Sequence, residues 1–344
     1  MTSLTILLIS IYFPILLIFI GSGLYLLKRA EITNLDALNY LGAFFLFTAG
    51  NYIFILLSSF EWDMAFFIAP ILLTISIVMA LLFAKNAFYL KNNLIFNTLI
   101  IITVSFGFLS QIFAYLQTMD AFSDIGRLGR TFFSNIMIIF SATWHAKLAI
   151  RDYIRFSNKP VEKYIQMRYL LFGITSIIGI TISIIDMLGT VLEINGMAQY
   201  EITLSILMMI TLVYVLLNFL VWVMPEKFRK FLNGASHASI GKDKNVPVAG
   251  KTRAYKIIDY YGNILSPIIG KTRDACKGLI LVATIEVLGE NGIYKLDLQS
   301  LITIFDISLR KSMEKLNLSN IDTIIKTLIN DIKENKSLFL VTNT

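Results

Sequence analysis

The sequence predicts an all-α membrane protein, with seven transmembrane helices followed by a small, mostly helical cytoplasmic domain. Three observations lead to this fold class. The 344-residue chain is 56% hydrophobic and only 15% charged, with a mean hydropathy of +0.71, whereas a soluble domain carries about 25% charged residues. Long apolar runs recur through the first two thirds of the chain. At Pro225 the composition changes abruptly, from the apolar LLNFLVWVM to PEKFRKFLN.

Each predicted span is a run of mostly apolar residues, about 20 of which cross the hydrocarbon core as a helix. The first run has no charged segment before it and no small-residue cleavage site after it, so we interpret it as a retained helix and not a signal peptide. Pro14 and Pro70 are tolerated as kinks in spanning helices. The predicted spans are 4–27, 38–60, 65–84, 94–116, 131–150, 167–192 and 202–224.

Lys and Arg in the short loops predict that the N-terminus is outside and the C-terminus is in the cytoplasm. The loops after spans 1, 3 and 5, with the span ends beside them, carry ten basic residues. The alternate loops carry only Arg127 and Arg130, both in a predicted loop over 117–130. An odd number of spans agrees with this orientation. We therefore expect a multi-pass protein of the cell membrane, with residues 1–232 as its transmembrane domain.

Beyond the last span, the sequence predicts a flexible basic linker over 233–252 and a cytoplasmic domain over 253–344. The linker is rich in small residues and lysine and contains Pro247, a composition typical of flexible connections. Further on, apolar residues return at helical spacing, with charged residues between them. Such amphipathic helices must bury their apolar faces, which predicts a separate helical core.

The helices of this domain have recognisable boundaries. Thr272 is the predicted N-cap and Gly289 the predicted C-cap of one helix, and a weaker helix is predicted over 254–265. SLFLV, 337–341, is predicted to pair with GIYKL, 292–296, in a two-stranded sheet. A second strong helix carries a predicted apolar stripe formed by Leu298, Leu301, Ile302, Phe305, Leu309, Met313 and Leu316, and a third carries one over 321–332.

The sequence contains no recognisable catalytic motif, so no enzymatic activity is expected. The tail has no Gly-rich nucleotide loop and no clustered carboxylates, and its only histidine, His237, lies in the linker. The single cysteine, Cys276, excludes an intrachain disulfide and is predicted to be buried in a helix core. Span 7 has no lysine for a retinal Schiff base, which argues against a rhodopsin-like photoreceptor. We expect no metal and no cofactor.

Polar side chains inside the spans are the candidate ligand-binding residues, because buried ionisable groups are costly in a membrane and seldom face lipid. Asp186, in the outer third of span 6, would face a cavity open to the exterior; alternatively, it reaches the outer interface or bonds a neighbouring helix. His145 is a candidate titrating group near the inner end of span 5. Amide side chains more often form interhelical hydrogen bonds. The amide candidates are Asn51, Asn135, Asn218 and Gln111.

Basic residues beside the membrane are predicted to contact the anionic lipid surface, where each gains roughly 1 kcal/mol. Residues 226–344 carry a net charge of +6, which also permits nucleic-acid binding. Because the basic residues cluster close to the membrane, lipid is the expected partner and nucleic acid is not. The predicted surface residues are Lys227, Arg229, Lys230, Lys242 and Lys244.

Residues 1–232 resemble the seven-helix membrane sensor region of some prokaryotic histidine-kinase-type signalling proteins. The resemblance rests on the topology, the short loops, YLGAFFLFTAGNYIFILL in span 2 and the exit VMPEKFRKFLN. It implies a sensory bundle that passes a signal to the cytoplasm. The tail departs from that scheme because it has no phospho-acceptor and no ATP-site motif, so the resemblance assigns no catalytic residue.

Three hypotheses about function follow. The first is a receptor-like sensor that signals through its non-catalytic tail, by binding a cytoplasmic protein or by self-association as a homodimer. The second is a transporter or channel with a regulatory tail, in which Asp186 and the amides line a path. The third is a membrane-tethered regulator that binds DNA through residues 250–344.

Overall fold

The regular structure of the described residues is entirely helical, and no strand occurs among them. The structure is a computed structural model. It describes residues 3–33, 35–58, 63–88, 94–157, 163–197, 199–225, 228, 232, 249–289, 292–293, 296–316, 318 and 320–335.

Seven long helices make up the chain as far as Val223, and each overlaps one of the seven predicted spans. Most are apolar on all sides, as expected of helices that contact both lipid and one another. They are α1 (Ser3–Thr33), α2 (Asp36–Ser58), α3 (Asp63–Phe88), α4 (Leu94–Gln117), α5 (Ser123–Ser157), α6 (Lys163–Ile194) and α7 (Gln199–Val223).

Six of these helices, all except α5, are long and apolar enough to cross a membrane. They fit a multi-pass membrane protein. Helix α5 has 35 residues, which is more than sufficient length. It differs in composition, because Asn135, Ser141, His145 and Lys147 all fall within the span predicted over 131–150.

The seven helices form a closed bundle. Each packs against the next one in the chain, and α1 packs against α7, so the ring is complete. Helix α3 also contacts α5 directly. Helix α4 therefore lies at the outside of the bundle, between the two helices that it joins in sequence.

The predicted loop over 117–130 is wrong, because α5 begins within it. A Cβ added to Gly126 would overlap the backbone of Gln117, and one added to Gly129 would overlap the ring of Phe113. These glycines allow α4 and α5 to approach closely, as small residues do in membrane helix packing. They do not mark a loop.

Five further helices have described bounds after the bundle. Helix α8 begins at Ala249, inside the linker predicted over 233–252; residues 233–248 lie outside the described residues. A π-helical segment, Ile304–Leu309, joins α10 to α11. The helices are α8 (Ala249–Ile269), α9 (Arg273–Leu288), α10 (Leu298–Thr303), α11 (Arg310–Lys315) and α12 (Ile321–Glu334).

The caps predicted for α9 are confirmed. The Thr272 hydroxyl accepts a hydrogen bond from the Ala275 backbone N–H at 3.3 Å. Gly289 ends the helix with a φ of +72°, and its N–H donates to the Ile285 carbonyl at 2.8 Å. Cys276 is fully buried within this helical core, as predicted.

The apolar stripe predicted for residues 298–316 is wrong in part. Leu316 is 51% exposed, whereas Ile304 and Ser308 are buried instead. A π-helical turn contains more residues than an α-helical turn, so the segment rotates the buried face relative to a regular helix. Of the predicted sheet, residues 292–293 form a short 3₁₀ turn, and 337–341 lie outside the described residues.

The tail helices pack on one another and also contact the bundle. The Lys256 ammonium in α8 donates to the Tyr164 hydroxyl at the start of α6, at 3.3 Å. The Arg155 guanidinium near the end of α5 donates to the Glu334 carbonyl at the end of α12. Two tail helices therefore contact the same end of the bundle.

Candidate functional site

A cavity of about 650 Å³ lies inside the bundle. Small-molecule sites usually enclose about 300–1,000 Å³. Helices α1, α2, α3, α5, α6 and α7 line the cavity, and α4 contributes only Gln117. The lining changes in character along the bundle, from charged residues at one end to aromatic residues at the other.

Four of the five predicted intramembrane candidates line this cavity: Asp186, Asn51, Asn135 and Asn218. They come from four different helices, α6, α2, α5 and α7, so only the folded bundle brings them together. All three asparagines are buried.

Gln111 does not line the cavity. Its side-chain amide nitrogen donates to the Phe67 carbonyl at 2.7 Å, which joins the outer helix α4 to α3. This is the interhelical hydrogen bond that intramembrane amides usually make. The difference arises because α4 lies at the outside of the bundle, which the sequence of α4 alone does not reveal.

Hydrogen bonds connect α5 and α6 around Asp186. The Asn135 side-chain nitrogen donates to Asp186 Oδ2 at 2.7 Å and to the Thr131 carbonyl at 3.0 Å. The Thr190 hydroxyl donates to Thr131 Oγ1 at 3.3 Å and to the Asp186 carbonyl at 3.1 Å. We refer to Arg130, Thr131, Asn135, Asp186 and Thr190, all of which line the cavity, as the polar layer.

Arg130 contributes the positive charge of the polar layer. Its guanidinium lies over the Phe66 ring, 5.4 Å from the centroid. It forms neither a hydrogen bond nor an ion pair with any other residue that the structure describes, Asp186 included. Arg130 was not predicted as a site residue, because 117–130 was assigned to a loop. Its position only five residues before Asn135 was a signal that it belongs to the same helix.

An ion pair lies at the charged end of the cavity. The Arg127 Nη1 and Glu193 Oε1 atoms are 2.8 Å apart, and both side chains are 36% exposed. Such exposed pairs contribute about 0–1 kcal/mol to stability, so this one opens at little cost. We refer to Arg127 and Glu193 as the mouth pair.

Aromatic rings close the opposite end of the cavity. The centroid of Trp222 lies 5.1 Å from that of Phe83 and 5.0 Å from that of Phe172, both in edge-on geometry. We refer to these three residues as the aromatic floor. Beside it, the two ring nitrogens of His145 lie 2.7 Å from the Ser141 carbonyl and 3.1 Å from the Ala80 carbonyl. His145 therefore joins α5 to α3.

Arg168 lies directly beneath the aromatic floor and is buried. Its guanidinium stands over the Trp222 ring, 5.5 Å from the centroid, and Nη2 donates to the Trp222 carbonyl at 3.1 Å. This carbonyl belongs to the last turn of α7, where carbonyls have no partner within the helix. Arg168 thus fixes the end of α7 to α6.

The same helix contacts the tail one turn from Arg168. Tyr164 lies one turn earlier on α6 and is fully buried. The Lys256 ammonium stands 5.0 Å from the Tyr164 ring centroid, in addition to its hydrogen bond with the hydroxyl. The first turns of α6 therefore contact both the cavity floor, through Arg168, and α8, through Tyr164.

The remaining predicted site residues are the five basic residues beside the membrane. Lys227, Arg229, Lys230, Lys242 and Lys244 lie outside the described residues. Within the described ranges, no three His, Cys, Asp or Glu side chains are grouped so that they could hold a metal ion.

The comparisons with known proteins give no match: no family model matches the chain, no curated protein is significantly similar in sequence, and no solved structure is significantly similar in fold. The geometry of the cavity is therefore the main indication of function.

Proposed function

We propose that the protein is a receptor-like membrane sensor. In this proposal α1–α7 all cross the cell membrane, the N-terminus is outside, and the cavity holds a ligand that enters past the mouth pair. The helical domain over 253–344 lies in the cytoplasm. It signals by binding a cytoplasmic protein or by self-association.

One observation carries this proposal: α6 contacts the cavity floor through Arg168 and, one turn earlier, contacts the tail through Tyr164. A ligand that touches the aromatic floor would press on Trp222, whose carbonyl and ring are both held by Arg168. Movement of α6 at that point would act on Tyr164 and hence on Lys256 in the tail. A ligand with different affinities for two positions of α6 would shift the equilibrium between them.

The charge distribution supports the proposed orientation. Ten basic residues lie in the loops and span ends on the tail side, against two on the opposite side. Those two, Arg127 and Arg130, both line the cavity. Their place in the cavity lining explains why two basic residues occur on this side, so they do not weaken the positive-inside bias.

Hydrogen–deuterium exchange of the full-length protein in lipid nanodiscs tests the proposal without knowledge of the ligand. Ala142, which lines the cavity between α5 and α6, is changed to Leu to occupy part of the space. We expect altered exchange in α8 and α12, although both are remote from the substitution. Val104→Leu on α4, a 51% exposed position outside the cavity lining, is the matched control and should leave the tail unchanged.

Identical tail exchange in wild type, Ala142→Leu and Val104→Leu would overturn the proposed coupling. A change in the tail that Val104→Leu also produces would indicate general destabilisation, and it would equally remove the support for a receptor.

A transporter is the second candidate, and one observation favours it: Asn135, Asn51 and Asn218 all face the cavity from different helices. In this structure the aromatic floor closes the inner end of such a path. Transport predicts that Asp186→Asn abolishes flux and that deletion of 234–344 leaves some of it. Full flux in the Asp186 variant would count against transport.

DNA binding is less well supported, because three described cations of the tail are engaged within the chain. Lys277 pairs with Asp259, and Arg310 pairs with both Asp306 and Asp322. Lys256 contacts Tyr164 of the bundle. A phosphate-binding face requires cations that are directed towards the nucleic acid.

A further inference from the structure

The polar layer presents two opposite charges to the cavity from two adjacent helices. Arg130 belongs to α5 and Asp186 to α6, and the two side chains do not form an ion pair with each other. Each unit of charge inside a membrane bundle is costly unless a partner compensates it. Two such charges on adjacent helices therefore indicate a binding site for a partner that satisfies both.

The two groups require complementary chemistry. A guanidinium donates hydrogen bonds in a planar fork that matches a carboxylate, and it has no acceptor. Asp186 accepts one hydrogen bond at Oδ2, from Asn135, and its Oδ1 has no hydrogen-bond partner among the described residues. A ligand group at Arg130 must thus be an acceptor, best an anion, and a group at Asp186 must be a donor, best a cation.

Hydrogen bonds fix this arrangement before a ligand arrives. Asn135 is held by the Thr131 carbonyl and in turn orients the Asp186 carboxylate. The Phe66 ring holds the guanidinium of Arg130. A preorganised site loses less entropy when it binds. The mouth pair is already neutral as a pair, so it supplies no excess charge.

Below the polar layer, apolar residues line much of the cavity, and polar side chains such as Ser141 and Asn218 interrupt them. The apolar lining includes Ile77, Ile138, Ile182 and Met208, and the aromatic floor ends the cavity. A polar head at Arg130 and Asp186 would direct an attached hydrocarbon or aromatic group towards Trp222. The volume of about 650 Å³ accommodates both parts.

We propose that the cavity binds a zwitterionic amphiphile, with its anionic group on Arg130, its ammonium on Asp186 and its apolar body directed at the aromatic floor. This inference rests on the proposed function, because it takes the cavity as the ligand site. It adds the chemical class of the ligand.

Three probes that share an apolar chain test the proposal: α-aminodecanoic acid, decanoic acid and decylamine. Binding of tritiated α-aminodecanoic acid is measured on full-length protein in nanodiscs, with empty nanodiscs subtracted for membrane partition. The other two probes compete. We expect the zwitterion to bind at least about tenfold more tightly than either singly charged probe, a difference of about 1.4 kcal/mol.

Substitutions identify which residue recognises which charge. Arg130→Met should reduce the affinity for the zwitterion to that for decylamine, and Asp186→Asn should reduce it to that for decanoic acid. Lys147→Met removes a cation from the same helix but outside the cavity lining, where the ammonium stands over Trp144. It should change the affinity by less than about twofold.

Three results would overturn the proposal. Decanoic acid that binds as tightly as the zwitterion would indicate a simple anion site, and equal binding of decylamine would indicate a cation site. No specific binding of any probe would exclude this ligand class. The hydrogen–deuterium exchange test of the tail uses no ligand, so it decides the receptor proposal independently of the ligand class.

Discussion

The contact between Tyr164 and Lys256 offers a direct measure of how strongly the tail is held by the bundle. Tyr164→Phe keeps the buried ring and removes only the hydroxyl. The N···O distance of 3.3 Å is longer than the usual 2.9–3.0 Å, so we expect a loss of about 1 kcal/mol, below the range of about 1.5–3 kcal/mol for hydrogen bonds to charged groups. Lys256→Met also removes the cation–π contact, worth about 0.5–1 kcal/mol, so it should cost about 2 kcal/mol.

Because the two changes remove one shared hydrogen bond, the double variant should lose about as much as Lys256→Met alone, a coupling of about 1 kcal/mol. Exchange of the α8 amides in nanodiscs measures this free energy. A loss of 1 kcal/mol should make local opening about fivefold more frequent. Tyr255→Phe is the matched control, since this neighbouring tyrosine is 46% exposed. Unchanged α8 exchange in Tyr164→Phe, or additive losses in the double variant, would refute the reasoning.

Other predictions concern packing, pH and thiol reactivity. Gly129→Ala should lower the melting temperature of the bundle, because overpacking costs about 1–3 kcal/mol. Gly278→Ala should stabilise α9 by about 0.4–1 kcal/mol, because no atom lies within 4 Å of the added Cβ. Equal shifts of the melting temperature in the two variants would contradict this. The Ser308 hydroxyl, and secondarily Lys311, lowers the pKa of Glu286. The carboxylate therefore stabilises the folded tail at pH values above its ordinary pKa of 4.5, and this stabilisation is lost as the pH falls through the lowered pKa. Hydrogen–deuterium exchange of the tail measured against pH should show that Ser308→Ala loses less stability on acidification than the wild type. Burial raises the pKa of the Cys276 thiol, so maleimide should label it only after unfolding, and rapid labelling of the native protein would contradict its placement.

The sequence was informative wherever a single helix carried the whole signal. Seven helices coincide with the seven apolar runs, because burial and lipid exposure both require apolar residues. Thr272 and Gly289 were predictable as caps because capping is local chemistry. Asp186 was also found from its own span, since a carboxylate among apolar residues is conspicuous in any context.

The errors arose where the neighbours of a residue decide its role. Gly126 and Gly129 have the composition of a loop, and only the packing of α4 explains them. Arg130 was excluded from the site for the same reason. Gln111 and Asn135 are both amides within predicted spans, yet only Asn135 lines the cavity. The π-helical segment moved Ser308 into the core, and no residue within it predicts that geometry.

The composition of α5 follows from its position. At 1.5 Å per residue, its 35 residues extend about 50 Å, well beyond the hydrocarbon thickness of about 30 Å. One end carries Arg127 and Arg130 at the cavity, and the other carries Arg155 in contact with α12. A helix that lines a polar cavity along one face must give up apolar residues there, which accounts for its absence from the six most apolar helices. A rigid helix that spans the site and reaches the tail transmits a tilt at one end to the other. In the receptor proposal, the polarity of α5 and its contact with the tail are therefore two consequences of one role.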